Sequence, residues 1–252
     1  MEEMVSKTRL FIDQDLIANC SLFLSDGQAH YLRNVLRLQV GDNIGLFNGR
    51  DGEWLTKITK IEKKLIEVCT TVCNRPQEES ADIWLAFAPI KRARIDFIAQ
   101  KATELGVSVL WPVFTEYTAM GRINLERLRL NAIEAAEQSG RLSVPKISTP
   151  VNFAEFIKTW PKERILFCCD ETGGGIPILE AFKNNNSLAG LMIGPEGGFA
   201  KLELDQLDKL GNVCRVSLGK RILRSDTAAF AALACWQAIA GDWNSFSQKS
   251  QD

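Results

Sequence analysis

The stretch Gly194-Pro195-Glu196-Gly197-Gly198 follows the apolar run 188–193 and precedes a helical pattern. A second stretch, Leu218-Gly219-Lys220-Arg221-Ile222-Leu223-Arg224, stands in the same position after the run 213–217. Both runs are too short for helices and suit buried strands. Because glycine allows tight turns and close approach of a ligand, the two stretches predict a site built from backbone N–H and C=O groups. Such loops at the carboxyl ends of neighbouring strands are where open α/β sheets bind ligands.

The composition is that of an ordinary globular protein. The chain has 252 residues, of which 46% are hydrophobic and 24% charged, enough for one large domain or two small ones. Residues 1–7 do not resemble a signal peptide, and no run approaches the roughly 20 apolar residues of a membrane span. We therefore expect a cytoplasmic protein with no membrane partner.

Cysteine and histidine usage gives little support to metal or triad chemistry. The seven cysteines include no Cys-x-x-Cys pair, and the odd number suggests reduced thiols. His30 is the only histidine. We expect no metal site, and a histidine-based triad could be built only around His30.

The net charge of −1 does not indicate a nucleic-acid binder, but two local clusters are basic. The first lies in residues 91–101, where four cations surround Asp96, and either a solvated helix face or a contact surface explains it. The second, Lys220, Arg221 and Arg224, lies inside the predicted ligand loop and is harder to attribute to solvation alone.

The polar stretch 74–80 contains a proline and no periodicity, and it predicts a domain boundary. We place the domains at 1–75 and 76–252. Short β-type runs before the boundary predict a small barrel, at 9–12, 44–47, 54–58 and 65–68. A helix is predicted over 30–38, with Leu32, Val35 and Leu36 on one face and two arginines on another.

After the boundary, strands and helices alternate, which is typical of a mostly parallel α/β sheet. Besides the two runs already quoted, strands are predicted at 83–88, 107–114 and 165–169. Helices are predicted at 94–105, 125–138, 202–210 and 226–240, the last with Ser225 or Asp226 as its N-cap.

Neither glycine stretch matches a common nucleotide fingerprint. Residues 194–198 lack the Gly-Lys-Ser/Thr ending of a P-loop, and their spacing is not Gly-x-Gly-x-x-Gly. Gly173-Gly174-Gly175 is equally short of a fingerprint and is interpreted as a flexible turn. An NTPase or dinucleotide site is not predicted.

A series of motifs along nearly the whole chain resembles the ribosomal RNA small subunit methyltransferase E family, the bacterial 16S rRNA uridine N3-methyltransferases of the SPOUT superfamily. The motifs are Arg9 with Phe11, 30–37 with Gly41-Asp42, 100–107, 134–141 with Pro145, the Gly-Pro-Glu-Gly-Gly-Phe loop at 194–199, and 218–228. Their number and order make the resemblance specific. The chain departs from the family pattern at Ala200, where serine is usual, and at Asp226, where glutamate is usual.

The resemblance implies an N-terminal PUA-like β-barrel domain that holds RNA and a C-terminal α/β domain tied in a trefoil knot. It also implies S-adenosylmethionine as cofactor, 16S rRNA of the small ribosomal subunit as substrate, and a homodimer. The implied cofactor-binding residues are Gly194, Pro195, Glu196, Gly197, Gly198, Leu218, Gly219, Ile222, Leu223 and Thr227.

Methylation at uracil N3 requires a group that stabilises negative charge on the base oxygens as the N3 proton leaves. Arg224 is the first candidate and Arg221 the second, although Arg224 could instead pair with Glu196 or Asp226. Glu196 could take the proton, orient the donor or form an ion pair, and we favour the ion pair. Candidate RNA contacts are Arg9, His30, Arg33, Asn34, Arg37, Lys91 and Arg94.

Two other functions remain compatible with the sequence. One is methylation of another RNA by the same fold, and the other is a non-catalytic RNA-binding or ribosome-assembly protein.

Overall fold

The computed structural model describes residues 8–63, 65–78, 81–183 and 188–244. The chain divides into two compact units, Met1–Glu79 with Ala136–Val144, and Ser80–Ala135 with Pro145–Asp252. Residues 1–7, on which the expectation of no signal peptide depends, lie outside the described residues. Within the described residues, no helix is both long enough and apolar enough to cross a membrane.

The first unit contains a five-stranded sheet. Its strands are β1 (Arg9–Phe11), β2 (Ser21–Phe23), β3 (Asn43–Phe47), β4 (Glu53–Ile61) and β5 (Ile66–Arg75), in the spatial order β1-β3-β4-β5-β2. β1 runs parallel to β3, and the other neighbours are antiparallel. The four predicted strands are confirmed, with β4 and β5 longer than predicted. β2 was not predicted.

One face of this sheet encloses an aliphatic core. Leu10, Ile44 and Val68 are buried there with other aliphatic side chains of the unit. Register shifts between β4 and β5 mark irregularities of the kind that bend a sheet. The predicted small barrel is therefore present as a sheet folded around its own core.

The helix predicted over 30–38 begins earlier and changes form. α1 (Asp26–His30) starts at Ser25, whose hydroxyl accepts the N–H of Gln28 while the Gln28 side chain accepts the N–H of Ser25. A π-helical turn continues it over Tyr31–Val35. Because i→i+5 bonding widens the turn, a spacing of three residues no longer returns to the same face. Val35 is accordingly 60% exposed, so its predicted place beside buried Leu32 was wrong.

Arg9, predicted to contact RNA, is instead a structural residue of the first unit. Its Nε donates to Glu53 Oε2 at 2.6 Å, and its other two nitrogens donate to three carbonyls of the segment 136–144 at 2.6–3.1 Å. The guanidinium also lies 4.5 Å above the Phe47 ring, and the side chain is only 11% exposed. With every nitrogen engaged and the group buried, Arg9 is removed from the candidate RNA contacts.

The second unit is built on a parallel sheet in the order β11-β13-β10-β12-β6-β7-β8, with β9 also paired to β7. Its strands are β6 (Ile83–Phe87), β7 (Val109–Phe114), β8 (Lys146–Ile147), β9 (Val151–Asn152), β10 (Ile165–Cys169), β11 (Ile176–Pro177), β12 (Ala189–Ile193) and β13 (Val213–Ser217). The predicted parallel α/β sheet is confirmed. The two-residue strands were too short to predict.

Helices alternate with these strands and cover both faces of the sheet. They are α2 (Arg92–Glu104), α3 (Leu125–Ser139), α4 (Phe153–Thr159), α5 (Ile178–Lys183), α6 (Lys201–Leu207) and α7 (Ser225–Ile239), followed by a 3₁₀ turn over Asp242–Asn244. Ile98, Phe182 and Leu233, from α2, α5 and α7, lie in one buried cluster, and Phe156 and Leu207, from α4 and α6, lie in another. Residues 136–139 of α3 belong to the first unit, although the sequence assigned them to the second domain.

Two predicted helix ends need correction. The N-cap of α7 is Arg224, not Ser225 or Asp226, because Arg224 keeps an extended backbone and the helix already begins at Ser225. α6 ends at Leu207 rather than 210, and Asp208 is its C-cap.

We expect Arg9→Ala to lower the free energy of unfolding by about 3 kcal/mol, because it leaves the buried Glu53 carboxylate without its main ion-pair partner. Urea unfolding followed by circular dichroism measures the effect. Arg50→Ala is the matched control, since the Arg50–Asp15 pair is exposed and should change stability by less than about 1 kcal/mol. Equal stability of the two variants would contradict the structural role of Arg9.

Candidate active site

A cleft lies at the carboxyl ends of three neighbouring strands of the second unit. Three segments line it: 169–171 after β10, 193–199 after β12, and 218–225 after β13. The two glycine stretches singled out by the sequence therefore form opposite parts of one cavity. The predicted residues that line it are Gly194, Pro195, Gly198, Leu218, Gly219, Arg221, Ile222 and Leu223. Glu196, Gly197 and Thr227, which were also predicted to bind the cofactor, do not line it.

The backbone at two glycines fixes the shape of this cleft. Gly198 has φ +69°, and a Cβ added there would lie 2.3 Å from Oε1 of Glu171. Gly219 has φ +101°, which also favours glycine. Gly197 has no such φ, and an added Cβ would meet Tyr117 at 3.1 Å outside the cleft. Gly198 and Gly219 therefore both have a backbone conformation that favours glycine, and Gly197 does not.

The segment after β12 is held by a carboxylate that the sequence analysis did not single out. Ala200 is the N-cap of α6, and it supplies no side-chain cap. Glu203 is buried and accepts the N–H groups of Ala200 and Glu116, both at 2.9 Å. This contact anchors the loop where the hydroxyl of the usual serine is absent.

Asp170 anchors the segment after β10. Burial raises the pKa of this carboxyl, but hydrogen bonds from Thr172 and Arg215 outweigh burial and hold the pKa below its usual value. Arg215 Nη2 lies 2.5 Å from Asp170 Oδ2, and its Nη1 lies 3.1 Å from Asp208. The pKa of Arg215 is raised in turn, mainly by its hydrogen bond to Asp170. The ion pair therefore keeps its charges at neutral pH and fixes the backbone that presents Glu171.

Glu171 faces the cleft and was also missed from the sequence. Among the described residues, no hydrogen bond or ion pair engages its carboxylate, and Oε1 lies against the Cα side of Gly198. Its position could have indicated a role in binding, because Glu171 follows a predicted parallel strand and open α/β sheets bind ligands at the carboxyl ends of their strands.

The cysteine at the cleft is not a candidate nucleophile. Burial, followed by the nearby Cys235, raises the pKa of the Cys169 thiol to about 12. The thiol is therefore neutral in the physiological range. Among the residues the structure describes, no group of three His, Cys, Asp or Glu side chains is arranged to hold a metal ion.

A second pocket contains the remaining predicted catalytic residues. It is lined by Ile90, Lys91, Arg94, Ala119, Met120, Glu196 and Arg224. Arg94 Nη1 donates to Glu196 Oε1 at 3.1 Å, and Arg94 Nε lies 3.8 Å from Asp226 Oδ2. Glu196 does form an ion pair, but its partner is Arg94 and not Arg224. Arg224 is exposed, and no described residue pairs with its guanidinium.

In the first unit, the predicted RNA contacts lie on and just after α1. His30, Asn34 and Arg37 are exposed, and Arg37 has φ +56° where the π turn ends. Arg33 Nη1 donates to the carbonyls of Glu62 and Lys63. These contacts orient Arg33 without burying it.

Comparison with known proteins gives one consistent family. A family model described as an RNA methyltransferase domain matches residues 77–237, and one described as an RNA methyltransferase PUA domain matches 24–68. Ribosomal RNA small subunit methyltransferase E of Rickettsia conorii is 35% identical over 228 residues, 90% of this chain and 93% of that protein. The Synechocystis protein of the same name is 33% identical over 238 residues, 92% of this chain and 77% of that protein.

The fold agrees with a solved structure of the same name. The crystal structure of ribosomal RNA small subunit methyltransferase E from Neisseria gonorrhoeae, bound to S-adenosyl methionine, matches with a TM-score of 0.86 and 31% identity, covering 94% of this chain and 99% of that one. The likeness extends over both units, and the relatives are matched over most of their own length. This chain belongs to the ribosomal RNA small subunit methyltransferase E family.

Proposed function

We propose that this protein transfers the methyl group of S-adenosylmethionine to N3 of one uridine of 16S rRNA in the small ribosomal subunit. The observation that carries the proposal is the cleft formed by the two glycine segments at the ends of β12 and β13. The Neisseria gonorrhoeae relative, of the same fold, was solved with S-adenosyl methionine bound. Family membership supports the ribosomal RNA substrate.

The residues of the cleft fit this cofactor. Leu218, Ile222 and Leu223 offer apolar surface for an adenine ring, and backbone groups of 194–198 and 218–219 can bond its polar edge. The free carboxylate of Glu171 suits the cofactor's ribose hydroxyls or its positive charge. When bound, S-adenosylmethionine supplies an electrophilic methyl group. The task left to the protein is to align the acceptor and exclude water.

Arg224 is the proposed catalytic cation. Uracil N3 carries a proton at neutral pH, and N3 gains the methyl group as it loses that proton and charge spreads to O2 and O4. A guanidinium placed at these oxygens stabilises the charge as an oxyanion hole does. Arg224 has no described partner and lines the pocket beside the cleft, which supports this role. Arg221, which lines the cleft itself, is the alternative.

The contact between Glu196 and Arg94 supports an ion-pair role for Glu196 and argues against its acting as proton acceptor. Oε1 of Glu196 already accepts a hydrogen bond from Arg94 and is occupied by that contact. Arg94, held by Glu196 and lying near Asp226, is a poor candidate for phosphate contact, whereas Lys91 remains exposed at the start of α2.

The first unit is proposed to hold RNA through residues 30–37. His30, Asn34 and Arg37 are exposed, and Arg33 is oriented by the turn at 62–63. An arginine at a surface turn can bind phosphate oxygens. Such contacts position the RNA without depending on its sequence. The match of 24–68 to a methyltransferase PUA domain supports this assignment.

The homodimer, the trefoil knot and the cytoplasmic location that the family resemblance implies belong to the same proposal. Sedimentation velocity measures the association. A single monomeric species would contradict the dimer.

S-adenosylmethionine should raise the melting temperature of the protein. A ligand that binds only the folded state adds about 2.7 kcal/mol to the free energy of unfolding when its concentration is a hundred times Kd. Gly198→Ala should reduce or abolish the shift, since φ +69° and the nearby Glu171 carboxylate oppose a side chain there. Gly211→Ala is the control, because a Cβ at Gly211 meets nothing within 4 Å. An unchanged shift in Gly198→Ala would place the cofactor elsewhere.

Arg33→Ala and Arg37→Ala should weaken binding to RNA of any sequence. Each should also reduce the slope of log affinity against log salt concentration by about one. Filter binding or fluorescence anisotropy over a salt series measures this slope. S-adenosylmethionine affinity should stay unchanged in both variants. Arg50→Ala, another exposed arginine of the same unit, is the control. If all three variants bind RNA alike, residues 30–37 are structural.

Reverse transcriptase should stop at one uridine of 16S rRNA, because a methyl on N3 removes a Watson–Crick donor. The stop should be absent in RNA from cells lacking the protein, and purified protein with S-adenosylmethionine should restore it on deficient small subunits. Arg224→Ala should bind the cofactor normally and yet transfer about 100-fold more slowly, as for loss of one oxyanion donor. Transfer at the full rate by Arg224→Ala would show that Arg224 is not the catalytic cation. A stop that persists in cells lacking the protein would show that this uridine is not its substrate.

A further inference from the structure

The second unit has a further pocket, the α2–α3 pocket, which contains none of the residues to which the proposed function gives a role. It lies between α2, the segment 120–124 and the start of α3. Its apolar lining consists of four side chains that belong to the core or pack against it: Ile95, Met120, Ile123 and Leu128. A concave apolar surface with a few polar groups is typical of a small-ligand site.

Two arginines give this pocket its positive charge. Arg122 is exposed, and no described residue pairs with its guanidinium. Arg127 is held by Asp96, which also lines the pocket, and its Nε and Nη2 lie 2.8 and 2.5 Å from the two carboxylate oxygens. Asn131 donates to the same carboxylate at 3.0 Å. The guanidinium of Arg127 is therefore bound to a partner that is itself held in place.

The ion pair with Asp96 makes Arg127 better suited to stacking than to phosphate binding. A bidentate carboxylate takes the edge of the guanidinium that would otherwise bind a phosphate. The side chain is nevertheless 60% exposed, and the pair does not use the flat faces of the guanidinium. Bases of single-stranded RNA stack on arginine planes as they do on aromatic rings. Arg122, which has no described partner, is available for phosphate oxygens.

The α2–α3 pocket adjoins the pocket that contains Arg224, because Met120 lines both. An RNA strand that brings a uridine to Arg224 would therefore pass the α2–α3 pocket with a nearby nucleotide. We propose that the α2–α3 pocket binds this nucleotide, with its base stacked on the Arg127 guanidinium and its phosphate bound by Arg122. The proposal rests on the methyltransferase function proposed above. Since every base has a flat face, the contact positions the strand and tolerates changes of its sequence.

Filling the pocket tests the site. Gly121 lines it and is exposed, and a Cβ there would meet nothing within 4 Å, so Gly121→Trp should fold normally. With small subunits from cells lacking the protein as substrate, this variant should raise KM about 10-fold and leave kcat and S-adenosylmethionine affinity within about twofold. Gly211→Trp is the matched control, because Gly211 is equally exposed and unhindered and lines none of the three pockets. Equal KM values for the two variants would overturn the site.

A photochemical cross-link identifies the occupant of the pocket. When p-benzoylphenylalanine replaces Gly121, irradiation with the same small subunits should attach the protein to 16S rRNA within about five nucleotides of the target uridine. Reverse transcription maps the attachment. The same replacement at Gly211 should give no cross-link at that place. If the Gly121 replacement attaches only to protein, whether ribosomal or a second copy of this chain, or does not attach at all, the RNA assignment is wrong.

Arg127→Lys separates stacking from ion pairing. Lysine keeps a positive charge beside Asp96 but has no planar face. We expect Arg127→Lys and Arg127→Ala to raise KM alike, by about 10-fold, with unchanged S-adenosylmethionine affinity. If Arg127→Lys keeps the KM of the unchanged protein, Arg127 acts only through its ion pair and the stacking role is wrong. If the unchanged protein transfers no methyl group, the proposed function itself fails, whereas normal transfer by all of these variants would remove only the nucleotide site.

Discussion

The register of the parallel strands β6, β12, β10 and β13 is the constraint on which the site depends. Ile193 at the end of β12 lies opposite Phe87 and Cys169, and Cys169 lies opposite Val216. Four strands therefore end in one row, and the segments that follow leave the sheet side by side. Without this alignment, the two glycine stretches, separated by a helix and a strand in sequence, would not face a common cleft.

In the segments that follow these strands, most charged side chains form contacts that fix the backbone. Asp170 and Arg215 fix the segment after β10, Glu203 fixes the segment after β12, and Arg94 engages Glu196. Charged groups left without described partners also line the two cavities, among them Glu171 and Arg221 in the cleft and Lys91 and Arg224 in the pocket. Because a paired charge cannot also stabilise a reacting group, the distribution of ion pairs selects which residues are available for chemistry.

Much of the second unit could be predicted because its signals are local. Buried strands of five residues, glycines after helices and apolar helix faces all appear in short windows of sequence, and β10 and β13 match their predicted bounds. Features that depend on distant partners could not be found this way. The anchoring role of Asp170 depends on Arg215, and the partner of Glu196 proved to be Arg94, about a hundred residues away. The π turn at Tyr31–Val35 gave no separate signal either, because its residues fit an α-helix equally well.

Arg9 shows why residue type and position in a motif do not determine the role of a cation. A basic residue near the start of an RNA-binding domain suggests phosphate contact, but phosphate requires an accessible guanidinium with free donors. Arg9 has neither, because its nitrogens donate to Glu53 and to carbonyls at and after the end of α3 inside the first unit. The same criterion separates Arg94 from Arg224 in the second unit, where both line one pocket and only one is engaged by carboxylates. A net charge of −1 is therefore compatible with RNA binding, since affinity depends on the few cations left unpaired and not on the total.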